Sequence, residues 1–321
     1  MILGNFSVAL TNTVSTTALS NFKVILLSIV LEALPFVLLS VIVSAFLHNF
    51  VADSTLQKVI PKNRLFSIIP AALLGVLFPV CDCGMVPIVR RLVSKGVPLH
   101  SAVAFMLAAP IVNPVVAAAT TYAFRTNTAI VVLRVGVAFL VSCLAGFMCS
   151  VFFNDSQLQA TPRHSHGGCA CHPPGGDCYY EEYTFSEKLI HTVRDAGSEF
   201  FAMGKYLLAG AMLGAAVQVL LPRPLLVSVG LDSVLSIGLM ILFAFVVSVC
   251  SSADAFIAAS FVTTFSPGSL IAFMVFGPMM DLKNTFMLLG SFRFAFVACL
   301  LLTVGGLCAA AAYVINLALG V

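Results

Sequence analysis

The stretch FPVCDCGMVPIVRRLVSKGVP, residues 78–98, sets two cysteines around one aspartate and follows them with three basic residues. Thiolate sulfur is a soft donor that selects thiophilic metals and metalloids, so Cys81 and Cys83 form a candidate metal or metalloid pair. The same pair makes a poor redox dithiol, because two cysteines separated by one residue close a small, strained ring. Asp82 between them is an ionisable group suited to carry a coupling proton. A second constellation follows at Cys250, Ser251, Ser252 and Asp254 in the stretch CSSAD. A third pair is Asn113 and Asp281, each three residues after a helix-breaking proline, Pro110 or Pro278. Such a residue either satisfies a kink or lines a substrate site. Asp82, Asp254, Asp281 and Glu32 are the proton-coupling candidates.

Other charges stand in apolar surroundings. Arg134 and Arg293 fall within apolar stretches, and Glu32 and Lys205 fall in the stretches that open the two halves. Intramembrane charge is costly and usually paired, which suggests Glu32 with Lys205 or Asp281 with Arg293; snorkelling toward an interface is the alternative. A separate cluster, His164, His166, Cys169, Cys171, His172 and Cys178, offers soft-metal ligands in a glycine-rich loop, with a spacing that fits no zinc-finger template closely. Cys143, Cys149, Cys299 and Cys308 lie in apolar stretches, where cysteine packs as a small hydrophobe.

The elements that hold these residues are set by composition. Of 321 residues 60% are hydrophobic and only 9% charged, with no tryptophan. With a mean hydropathy of +1.07, the chain reads as an all-α, polytopic membrane protein. No basic, aromatic-interleaved patch suggests nucleic acid, and the first 21 residues lack the basic region and cleavage pattern of a secretory signal. Six stretches suit full spans, at 22–47, 98–124, 128–153, 199–221, 267–283 and 285–318. Two shorter ones, 66–80 and 234–249, stop at CDCG and CSSAD and read as broken or re-entrant helices. Drawn as full crossings, they raise the count from six to eight.

The halves echo one another. VPLHSAVAFMLAAPIVNP (97–114) parallels SPGSLIAFMVFGPMMDLKN (266–284) with one gap, setting Pro110 on Pro278 and Asn113 on Asp281. Three crossings and a hairpin per repeat is an odd number, which predicts inverted repeats. The expected organisation is a first transmembrane repeat over 1–153, a cytoplasmic connector over 154–187, and an interfacial helix with the second repeat over 188–321. Basic residues, including Arg90, Arg91, Lys95 and Lys283, then gather on one side, and the positive-inside rule makes that side cytoplasmic with both termini outside.

PVCDCGMVPIVRRLVSKGVPL followed by AFMLAAPIVNP resembles the signature of the predicted-permease family that includes the organoarsenical efflux permeases, ArsP. The acidic residue between the cysteines brings it nearer the YraQ-like branch. The resemblance implies that Cys81 and Cys83 would ligate a trivalent metalloid if the arsenical activity carries over. No P-loop stretch is present. The expectation is therefore a multi-pass plasma-membrane permease, not an enzyme, requiring no cofactor. It would move a small, thiophilic solute or ion by alternating access, alone, as a homo-oligomer or with a second permease subunit. The rival readings are a membrane thiol-disulfide oxidoreductase and a non-transporting subunit of a larger complex.

Overall fold

Local chemistry sets the helix ends around the two breaks. The run SKGVP closes one helix: Gly96 takes φ 89°, a left-handed conformation that favours glycine. The Gly96 and Val97 N–H groups donate back to the Val93 and Leu92 carbonyls at 3.0 and 3.1 Å, the Schellman arrangement, and Pro98 prevents continuation. Asn113 opens another helix by accepting from the Val116 N–H at 2.9 Å, with Pro114 in the first position, where its missing N–H does no harm. Asp281 does the same for the Asn284 N–H at 2.6 Å.

A computed structural model of the protein describes residues 2–50, 64–76, 81–125, 128–153, 185–220 and 233–320. The loop cluster from His164 to Cys178 and most of the 154–187 connector lie outside these residues. The elements within them are α1 (Ile2–Phe50), α2 (Arg64–Leu74), α3 (Asp82–Ser94), α4 (Leu99–Ala108), α5 (Pro114–Ala123) and α6 (Thr128–Phe152). The second half gives α7 (Phe185–Leu220), α8 (Ser233–Val247), α9 (Asp254–Ser260), α10 (Pro267–Met279), α11 (Leu282–Leu289) and α12 (Phe294–Leu319).

Among the described residues four helices are long and apolar enough to cross a membrane: Leu19–Ala45 within α1, α6, Thr192–Val219 within α7, and α12. Large side chains such as Leu31, Val132, Phe201 and Leu302 point outward along them, as expected for a lipid-facing surface. α4 and α10 are different. At 10 and 13 residues they are short for a hydrocarbon core of about 30 Å, and they are buried along almost their whole length at the centre.

Packing partners recur between the halves. α2 packs on α4 as α8 packs on α10, and α4 on α6 as α10 on α12. Across the halves, α3 meets α11 and α9 meets α5. Hydroxyl contacts join the short helices in both places: Ser67 lies 3.1 Å from His100 and 2.9 Å from Ser101, and Ser236 lies 2.7 Å from Ser269. Phe124 and Arg125 before α6 have counterparts in Phe292 and Arg293 before α12, at the spacing that carries Asn113 to Asp281.

Several expected spans are redrawn. The stretch 98–124 is two helices, because Pro110 and the Asn113 cap turn the chain between α4 and α5. The stretch 285–318 likewise divides at 290–293 into α11 and α12. The segment 186–199 and the span that follows it form one continuous helix, α7, of 36 residues. Arg293 is an exposed residue at the start of α12 and no partner of Asp281. Lys205 is also exposed and lies 5.0 Å over the ring of Tyr206.

Candidate functional site

The two breaks meet at one cavity of about 360 Å³. The first contributes Cys81, Asp82 and Cys83, where Cys81 is the N-cap of α3 and Asp82 its first residue. The second contributes Ser248, Cys250, Ser251 and Ser252, between α8 and α9. Glu32 and Phe36 of α1, Asn113 with Val115 and Val116, and Lys283 of α11 complete the wall.

Backbone that leaves the helical ladder at membrane depth must be satisfied by other parts of the protein. At the second break side chains from three helices do this. Gln218 of α7 donates to the Val247 carbonyl at 2.6 Å, Lys283 to that of Ser248 at 3.2 Å, and Arg134 of α6 to that of Ser251 at 2.8 Å. Ser248 itself has φ 49°, a left-handed conformation unusual for a residue with a side chain.

The thiol and carboxylate atoms of Cys81, Asp82 and Cys83 lie within 4.8 Å of one another. Cys81 is half-buried, Asp82 and Cys83 are buried, and neither cysteine is in a disulfide. Across the cavity, the Cys250 thiol lies 3.3 Å from the Ser252 hydroxyl and close enough to Glu32 to interact with its carboxylate.

Among the described residues, Lys283 and Arg134 each make an ion pair between the halves in which both partners are buried. The Lys283 ammonium lies 3.1 Å from Asp82 and 3.1 Å from Asp281, so one cation of the second half serves an acid of each half. The Asp82 Oδ1 atom is buried and has no hydrogen-bond partner. On the other side Arg134, fully buried, grips both oxygens of Asp254 at 2.8 and 2.7 Å and donates to Thr120 at 2.8 Å. Asp254 and Asp281 therefore stand behind the cavity wall, whereas Asp82 and Glu32 form part of it. Asn113 reaches the wall with its amide already engaged: besides its cap contact it donates to the Ala109 carbonyl at 3.1 Å.

Lys283 is the residue that sequence reasoning misplaced. Counted among the charges of one membrane face, it is buried to 4% exposure at the centre. The available signal was its position two residues after Asp281, which puts both in the first turn of one short helix. Glu199 was also missed; it is buried on α7 and lies 3.1 Å from Arg91 of α3.

A helical membrane protein with a cavity bearing thiol, hydroxyl and charged side chains where two interrupted helices meet has the build of a permease. Residues 18–317 match the family described as "Predicted permease" (ArsP_1), and the chain belongs to that family. It is 44% identical over 284 residues to UPF0718 protein YcgR of Bacillus subtilis, covering 88% of this chain and 93% of that one. Over 276 residues it is 34% identical to the "Putative two-component membrane permease complex subunit" of Streptococcus mutans, covering 85% and 87%. No solved structure matches the chain.

Proposed function

We propose that the protein is a secondary transporter of the plasma membrane that exports a small thiophilic solute, a trivalent metalloid or soft metal, through the cavity between the two breaks. The observation that carries this reading is the presence of three thiols, Cys81, Cys83 and Cys250, around one cavity with a carboxylate beside the first two. Soft donors at a helix break serve a soft ligand, and the break supplies unwound backbone at the same point. The solute is cargo, held at Cys81 and Cys83 and released.

Alternating access of inverted repeats is the mechanism proposed, supported by the helix pairs that recur in both halves. Proton exchange is assigned to Asp82 and Glu32, the carboxylates on the cavity wall. The loop from His164 to Cys178 is proposed as an accessory soft-ligand segment.

Transport of arsenite and of cadmium into proteoliposomes, with wild-type protein and with Cys81→Ser and Cys83→Ser, tests the reading. Uptake of at least one of the two by wild type and its loss in both variants is expected; uptake of neither beyond that of protein-free liposomes removes it. The name of the streptococcal relative favours a second reading, in which this chain is one subunit of a two-component permease. In that case the chain alone is inert and a second membrane protein restores transport.

A further inference from the structure

The Cys81, Asp82 and Cys83 donor atoms, all within 4.8 Å of one another, approach the spacing of three ligands on one face of a soft dication. One of the three is already engaged. The Lys283 ammonium stands 3.1 Å from Asp82 and is itself anchored 3.1 Å from Asp281 and 3.2 Å from the Ser248 carbonyl. We propose that Lys283 is the selectivity residue of this cavity: by holding Asp82 through Oδ2 and fixing a positive charge beside the thiol pair, it weakens the site for free soft dications relative to uncharged, thiol-binding solutes. This rests on the thiol-site reading above and narrows it.

The argument is one of coordination and charge. A soft dication in a protein takes about four donors, and two thiols with a carboxylate that shares its charge with an ammonium make a weak set for it. The ammonium also offsets part of the negative charge of Asp82 and Asp281, so a dication is attracted less than it would be by the two carboxylates alone, whereas a neutral solute is indifferent to that charge. Displacing the ammonium would strip Asp281 of its counter-ion and leave the Ser248 carbonyl without its donor, an unfavourable exchange at a buried site. An uncharged trihydroxy metalloid meets none of these obstacles. Its two sulfur bonds form as two of its oxygen bonds break, and the thiol protons leave with the two hydroxides as water. No charge enters the cavity and no electrons are transferred. The remaining hydroxyl has an acceptor at hand in the unpartnered Asp82 Oδ1.

The test uses the full chain in lipid nanodiscs, with arsenite and cadmium as separate probes. Protection of Cys81 and Cys83 from alkylation, read at each residue by mass spectrometry, keeps the other cysteines out of the measurement. Wild type should be half-protected by arsenite at a concentration at least tenfold below that of cadmium. Lys283→Gln should shift this ratio at least tenfold toward cadmium, and Lys283→Arg should not. If Lys283→Gln does not fold, Lys283→Gln with Asp281→Asn removes one charge of each sign and carries the same expectation. An unchanged ratio in the glutamine variants, or a wild type that already prefers cadmium, overturns the selectivity role and leaves the thiol site standing. Protection by neither probe in any of these proteins overturns the thiol site and the selectivity role together.

Discussion

Arg134 of α6 holds Asp254, the first residue of α9, through both carboxylate oxygens although the two belong to opposite halves of the chain. The same guanidinium takes the Ser251 carbonyl and the Thr120 hydroxyl, so one side chain pins the second break to two helices of the first half. A planar fork suits this task, since its donors are fixed relative to one another.

Removing one partner leaves the other as an uncompensated buried charge. Arg134→Met should therefore destabilise the protein by about 3–5 kcal/mol, and Arg134→Lys should also weaken it because a point charge cannot reproduce the fork. Arg134→Met combined with Asp254→Leu should lose less than either change alone. Unfolding in detergent, followed by tryptic resistance and a thermal melt, measures all of these. Wild-type melting of Arg134→Met would show that the pair braces nothing.

Asp82→Asn separates binding from coupling. The amide keeps the shape of the carboxyl group but does not exchange a proton in the physiological range. Binding and exchange of the solute should survive, while accumulation driven by an imposed proton gradient should fall to the level of passive exchange. Accumulation at the wild-type level would move coupling to Glu32, the other carboxylate on the wall.

Gly210 of α7 positions Lys283 from behind. A Cβ at Gly210 would lie 2.7 Å from the Lys283 Cα, closer than packed atoms tolerate, and backbone cannot yield as a side-chain tip can. Gly210→Ala should cost about 1–3 kcal/mol by overpacking and should displace α11 together with its ammonium. Gly136, with open space around it, is the control: Gly136→Ala should melt at least as high as wild type. Equal melting of wild type and the Gly210 variant would rule out this close approach.

Inverted repeats require both termini on the outer face and residue 160 in the cytoplasm. Cysteine labelling from each side, with single cysteines near residue 5, at 160 and near 320, should give outer, inner and outer accessibility. Termini on opposite faces would remove the inverted-repeat arrangement while leaving the cavity as described.

Helix ends were readable because they depend on neighbours in sequence. The Pro–x–x–Asn and Pro–x–x–Asp patterns gave Asn113 and Asp281 as matched residues, and both are N-caps. CDCG and CSSAD likewise marked where α3 and α9 begin. Hydropathy did not separate α4 from α5, since it averages over a turn whose own residues are apolar apart from Asn113. The partners of buried charges were also hidden. Arg134 meets Asp254 and Lys283 meets Asp82 only because distant helices cross, and no local pattern records a crossing. Lys283 looked like a surface charge for the same reason.

The reach of Lys283 across the molecule sets an order for biogenesis. Asp82 leaves the ribosome about 200 residues before Lys283, an interval on the order of 10–40 s at ordinary rates of synthesis. During that interval the first half holds an acid at a helix break whose eventual cation has not been made. The nascent chain must keep this segment wet, sheltered by the insertion machinery or parked near the headgroups. Final seating of α3 is then an event of late translation, timed by the arrival of α11. A chain truncated before Lys283 should accordingly be recognised by membrane quality control as unfinished, even with every span of its first half inserted.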